Sequence, residues 1–245
     1  MVSLIRAELH KLLGLPTARI GLVLGTLLSP LVVLINAPAV RRAGLAGTDT
    51  GLVELGIGLI GPMILGVVIV SSELTSTGDD APRARQLTAT LIAVPRRMLL
   101  LTAKTAALVL VVAVQASVAA AATVGLTQVM HGDRVQAPAF GRVAAAVLYW
   151  VLLALLAYAI TLITRNGIVP LTLLIVNSTV VSVSYLLTKV TPAAAYLPDI
   201  VGAQMFIRGS DFPVRIAPVT AGLVMTAWIV ALLALGAFLF QRRDA

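Results

Sequence analysis

Long runs of apolar residues dominate the chain, and polar residues gather in the short intervals between them. A helix crossing the roughly 30 Å hydrocarbon layer of a bilayer needs about 20 mostly apolar residues. Six stretches meet that demand, at positions 20–37, 52–70, 99–129, 143–163, 168–187 and 218–240. The fourth and fifth are separated only by Thr164-Arg165-Asn166-Gly167. One helix through both would run about 67 Å at 1.5 Å per residue, and Asn-Gly is a turn signal, so the chain reverses there. The pattern predicts an all-α integral membrane protein: six transmembrane helices in a single domain, 1–245.

The segments between the spans carry patterns of their own. In residues 1–15, Val2, Ile5, Leu9, Leu12 and Leu13 recur at helical spacing, while Ser3, Arg6, His10 and Lys11 fall elsewhere on the wheel. Gly14 and Pro16 end the pattern. A basic amphipathic helix of this kind lies in the headgroup plane. The largest polar segment, 71–98, opens with Ser71-Ser72-Glu73 and passes a breaker cluster from Thr77 to Pro82. It regains helical character over 83–94, with Leu87, Leu91 and Val94 on one side, and closes on Pro95-Arg96-Arg97. Composition supports a helix docked through that stripe and a solvated loop equally. Residues 188–217 hold Pro192, Pro198 and Pro213, with Pro218 next. Short helices over 193–197 and 200–207 would dip into the outer leaflet, as re-entrant pieces do where protein or water satisfies their backbone.

Composition narrows the class. Hydrophobic residues make up 59% of the chain and charged ones 11%, against roughly 45–50% and about 25% in soluble domains. Too little polar surface is present to cover a water-soluble globule, and disorder needs the opposite balance. Cysteine is absent, which removes disulfides and thiolate metal sites. The net charge of +8 would suggest nucleic acid in a soluble protein. Here it follows from Lys and Arg on cytoplasmic loops, and no nucleic-acid partner is expected. Eleven of these residues, with Lys104 counted as a charge of the loop after the second span, lie on the side of residues 1–19, that loop, Arg165 and the C-terminal end, and seven on the other. That bias puts both termini in the cytoplasm. Arg6, Glu8, His10 and Lys11 interrupt the opening segment, which argues against a cleavable signal peptide.

Catalytic chemistry has no apparatus in this pattern. None of Lys11, Lys104 and Lys189 follows a glycine, so a phosphate loop is missing and no ATP or metal cofactor is expected in this chain. His10 and His131 fall on opposite sides of the membrane, and no serine occupies a G-x-S-x-G elbow. No charged residue lies deep within a span, whereas ion-coupled transporters hold their coupled charge there. If a substrate moves, the energy comes from another subunit.

Polar side chains within the spans are few. Gln115 lies in the third, and Asn177, Ser178, Thr179, Ser182 and Ser184 in the fifth. Interhelical hydrogen bonds, worth about 0.6–2 kcal/mol each, account for any one of them. The fifth-span group is denser than that role needs, which makes Gln115, Asn177, Ser178 and Ser182 candidates for a substrate path. Small residues recur as Gly21-x-x-x-Gly25 and Ser117-x-x-x-Ala121-x-x-x-Gly125, spacings that arise often by chance in Ala- and Gly-rich spans. Pro62, Gly66 and Pro170 are candidate kink positions.

The connection between the second and third spans resembles the membrane subunit of type-2 ABC exporters. The features that carry the likeness are Glu73, Gly78, Leu87-Thr88-Ala89-Thr90-Leu91, Pro95-Arg96-Arg97 and Ala103-Lys104. Tyr196-Leu197-Pro198 is similar to an element before the last span in actinobacterial members. One departure is Leu74-Thr75-Ser76-Thr77-Gly78-Asp79, where an aromatic-then-Gly-Thr turn is usual. The resemblance implies a permease in a bacterial plasma membrane, working as a homodimer or heterodimer with two copies of a separate ATPase that binds ATP and Mg. It implies that Glu73, Arg83, Gln86, Leu87, Leu91, Pro95, Arg96 and Arg97 couple to that ATPase through a cytoplasmic helix. The cargo implied is a drug-like, peptide or lipid amphiphile, exported. The competing reading is a non-transporting multi-pass protein, such as an immunity, sensor or scaffold subunit.

Overall fold

The computed structural model describes residues 1–44, 46–74, 97–179, 183–209, 212 and 214–242, with the side chains of 73, 74, 97, 178 and 179 also outside it. Among the described residues every regular element is helical. In chain order these are α1 (Val2–Gly14), α2 (Pro16–Ala43), a 3₁₀ turn (Glu54–Leu59) leading into α3 (Ile60–Leu74), α4 (Arg97–His131) and α5 (Phe140–Thr164). Then come α6 (Ile168–Thr179), α7 (Val183–Thr188), a 3₁₀ turn (Pro192–Tyr196), α8 (Pro198–Ala203) and α9 (Pro218–Arg242). Five helical stretches are long and apolar enough to cross a membrane: Pro16–Ala43, Glu54–Ser72, Met98–Arg134, Phe140–Thr164 and Pro218–Arg242. This is the make-up of an all-α, multi-pass membrane protein.

Local chemistry sets the boundaries. Pro16 occupies the first position of α2, where its missing N–H costs nothing. Arg41 and Arg42 stand in its last turn and favour the negative helix end, and Gly44 closes it at φ 64°. These signals carry α2 beyond the apolar run 20–37. Pro62 has no N–H to offer the Gly58 carbonyl, and the chain enters α3 through the tighter 3₁₀ turn. At the reversal between α5 and α6, Arg165 takes the left-handed conformation at φ 53° and donates its N–H to the Thr161 carbonyl. Asn166 Oδ1 then accepts from the N–H groups of Ile168 and Val169, opening α6.

The fifth apolar stretch departs from the expectation of one span over 168–187. It contains α6, at 12 residues about 18 Å long, and the six-residue α7. A contact of Asn177 shows that residues 177 and 184 do not lie along one straight helix. Asn177 Oδ1 accepts from the Ser184 N–H at 3.3 Å, whereas seven residues of straight helix would separate the two by about 10 Å.

Packing places α3 and α5 at the centre. In each of their spans 61% is buried, against 22% in α9 at the edge. Between α2 and α3 the backbones come into contact: a Cβ on Gly61 would strike Gly25 Cα and the Gly21 carbonyl. Ala18, Gly21, Gly25, Ser29, Val33 and Ala37 form the buried edge of α2, so the first small-residue spacing is a packing seam. Ser117, Ala121 and Gly125 of the second spacing are exposed instead. Gly66 serves close contact, since a Cβ there would strike the Ala154 carbonyl of α5.

The helices alternate in direction, so the connections collect at two ends. At one end α1 packs on α4, and a Cβ on Gly167 would stand 2.9 Å from Ser71 Cβ. Gly236 of α9 meets Leu162 of α5 near that end as well. At the other end the loop before the first 3₁₀ turn, the start of α5 and the stretch after α8 come together, as the ion pair below shows.

Candidate functional site

Each end of the bundle holds a buried ion pair. At the α1 end, Lys104 Nζ donates to Glu8 Oε2 at 2.7 Å, with both side chains about one-twentieth exposed. Seven residues into α4, Lys104 is a helix residue rather than the loop charge its place in the sequence suggests. The pair offsets part of the cost of burying both charges, and it ties α1 to the first turns of α4. Glu8 stands on the same side as Ile5, Leu9 and Leu12, which pack on the core.

At the opposite end Arg142 gathers three segments. Its Nε and Nη2 donate to the Phe206 carbonyl at 3.0 and 2.8 Å, Nη1 donates to the Thr48 carbonyl at 2.8 Å, and Nη2 also reaches Asp49 Oδ1. Asp49 Oδ2 accepts from the backbone N–H groups of Arg208 and Gly209. Burial pushes the Asp49 carboxyl up, but the Gly209 and Arg208 N–H groups and Arg142 outweigh it. The group therefore sits below its ordinary value of 3.8.

Beside that hub lies a cavity of about 600 Å³. Gly56, Ile57 and Leu59 of the 3₁₀ turn line it, with Tyr149 of α5, Asn177 of α6, Tyr185 of α7, Asp199, Ile200 and Ala203 of α8, and Phe212. Pro192 and Pro198 open the 3₁₀ turn and α8, and Thr191 Oγ1 accepts from the Ala193 N–H. Gly202 lets α8 lie against Tyr149 and Met225, where a Cβ would strike both. The Tyr149 and Phe206 rings pack with centroids 5.6 Å apart.

The polar part of the wall is a small network. Asn177 Nδ2 donates to Asp199 Oδ2 at 2.7 Å and to Ser184 Oγ at 3.4 Å, and Asn177 Oδ1 holds the Ser184 N–H. The break in the fifth stretch thus places an amide, a hydroxyl and a carboxylate together beside apolar walls. Tyr149 is buried, while Tyr185 is partly exposed, with Lys189 Nζ 5.0 Å from its ring centroid. Such a wall can bind and orient a mostly apolar molecule. Among the described residues no three of His, Cys, Asp and Glu gather as metal ligands would.

Of the residues expected to line a substrate path, Asn177 reaches this cavity. Gln115 sits elsewhere, buried between α4 and α2, where Nε2 donates to the carbonyls of Gly21 and Leu22 at 3.0 and 3.1 Å. Ser178 belongs to α6 with its side chain outside the described set, and Ser182 lies outside the described residues. Among the expected coupling residues, Arg83, Gln86, Leu87, Leu91, Pro95 and Arg96 also lie outside them. Glu73 stands in the last turn of α3, and Arg97 is the first residue of α4. Asp199, Tyr149 and Tyr185 were not marked by the sequence. Asp199 follows Tyr196-Leu197-Pro198 directly, yet nothing in its spacing ties it to Asn177, 22 residues earlier. No family model, curated protein or solved structure matches this chain.

Proposed function

We propose that the chain is the permease subunit of an ATP-driven exporter of the type-2 ABC kind, moving an amphiphile with energy from a separate ATPase. The observation that carries the reading is the separation of two features. The apolar cavity with its polar network lies at one end of the bundle, and residues 71–98 connect helices at the other. A push on that connection reaches α3 and α4 directly. Because Gly66 seats α3 on α5, and α5 carries Tyr149, a tilt of α3 is transmitted to the cavity wall by packed backbone rather than by flexible side chains. The Glu8–Lys104 pair makes α1 and the start of α4 move together.

In this reading both termini and residues 71–98 face the cytoplasm, α1 lies in the headgroup plane, and residues 188–217 fold back into the outer leaflet. The fifth stretch, 168–187, serves as the fifth of six crossings together with the elements around it. Two such chains, alike or related, meet two ATPase subunits in a bacterial plasma membrane.

The test is co-purification with a candidate ATPase chosen from the reading frames beside the gene. The wild-type chain is expected to retain the ATPase through washing. Leu87→Asp and Leu91→Asp should each abolish retention while the protein stays monodisperse. Retention by both variants, or a chain that functions alone, would overturn the proposal in favour of a non-transporting subunit.

A further inference from the structure

We infer that a second cavity, where α9 begins, is a site for a phosphate-bearing anion held between the guanidinium groups of Arg208 and Arg215. It is separate from the network of Asn177 and Asp199, and it does not rest on the reading of the chain as a permease. The cavity measures about 270 Å³, with Arg208, Arg215 and Gln204 as its polar lining and Ile207, Phe212 and Ile216 as apolar walls. Both guanidinium groups carry a permanent positive charge. Among the described lining residues no Asp or Glu answers those charges, and no described carboxylate forms an ion pair with either arginine.

The backbone around the two arginines is fastened. Asp49 Oδ2 accepts the Arg208 N–H at 2.9 Å, while the charge of that carboxylate is met by Arg142. Gln204 Oε1 accepts the Ile216 N–H at 2.7 Å and so seats the residue after Arg215. This bond fixes which end of the Gln204 amide is which: Nε2 is the donor, and it is buried without a partner. An anion oxygen seated beside it would satisfy it. The first turn of α9, opening at Pro218 on the cavity wall, adds the positive end of a 25-residue helix. A phosphate group carries several oxygens around one centre, so two planar forks can each take a pair of them. Because α9 is long and apolar enough to cross a membrane, its first residue stands at headgroup depth. The headgroup of an anionic phospholipid and a free phosphate both present this chemistry.

The test uses the full chain, purified in an uncharged detergent without ATPase or nucleotide. Its probes are short-chain phosphatidylglycerol, followed by native mass spectrometry, and radiolabelled inorganic phosphate, followed by equilibrium dialysis. Saturable binding of at least one probe is expected. Arg208→Gln and Arg215→Gln replace exposed side chains, and together they should weaken that binding about tenfold or more. Arg134→Gln removes the same charge from an exposed arginine outside this lining, and should change the affinity less than about twofold. Wild-type affinity in the double variant, with an unchanged elution profile, would overturn the inference. An equal loss in Arg134→Gln would overturn it too, because attraction would then follow net charge alone, and so would the failure of both probes to bind. Arginine-dependent binding of inorganic phosphate marks a free anion, whereas binding confined to phosphatidylglycerol marks the lipid headgroup.

Discussion

Replacing Arg142 with methionine removes the only described cation that touches Asp49, together with the donors that hold the Phe206 and Thr48 carbonyls. Breaking a buried ion pair by deleting one partner costs about 3–5 kcal/mol. Two features keep the expected loss near the lower bound, at about 3 kcal/mol. Both side chains retain about a tenth of their exposure, and Asp49 keeps the N–H groups of Arg208 and Gly209. Arg142→Lys preserves the charge but not the fork that reaches three oxygens at once, and should cost about half as much. Asp49→Asn with Arg142→Met together should cost less than the sum of the two single changes, by about 1–2 kcal/mol, since the second change no longer strands a charge. Equilibrium unfolding by dodecyl sulfate in bicelles, followed by the fluorescence of Trp150 and Trp228, gives the free energies. A loss below about 1 kcal/mol for Arg142→Met, or additive double-variant energies, would refute the hub as the fastening of that end.

The same hub predicts a pH dependence. Because the folded Asp49 value lies below the unfolded one, its contribution is complete above about pH 4 and fades as pH falls through the folded value. Unfolding of the wild type should weaken in that acid window, and Asp49→Asn should lose that part of the slope. At the other end, Glu8→Gln neutralises the carboxylate that Lys104 Nζ reaches at 2.7 Å and should cost about 1–3 kcal/mol by the same unfolding assay. Gly61→Ala forces α2 and α3 apart and should cost about 1–3 kcal/mol, whereas Gly125→Ala, with open space around it, should change stability by less than about 0.5 kcal/mol. Gln115→Leu should cost about 1 kcal/mol by the same assay, because its bonds join α4 to α2.

Much of the helical framework was legible because it follows from a local requirement. Lipid demands about 20 apolar residues per crossing, and the runs near 20–37, 52–70, 99–129, 143–163 and 218–240 each coincide with a long helix. Val2–Gly14 follows from periodicity in the same way. Less of the site was legible. Apolar content marked 168–187 as one span, but Asn177 Oδ1 holds the Ser184 N–H, a contact that one straight helix does not allow. Hydropathy cannot register that contact. The two ion pairs join residues 96 and 93 positions apart, and no local pattern announces such a partner. Lys104 shows the cost of reading charge by position, since a lysine beside a loop looks solvated until Glu8 of another helix is seen to face it. Gly21 and Gly25 were visible as a spacing, yet only the approach of Gly61 separates them from Ser117, Ala121 and Gly125, which share the spacing and pack against nothing described.

The central claim is that the chain is a gate without a motor of its own. Vesicles holding it alone, and vesicles holding it with the proposed ATPase, should be given a fluorescent amphiphile and then ATP on the face that carries residues 71–98. Nucleotide-driven movement of the amphiphile is expected with both proteins and absent with the chain alone. Pumping by the chain alone on ATP would contradict the account.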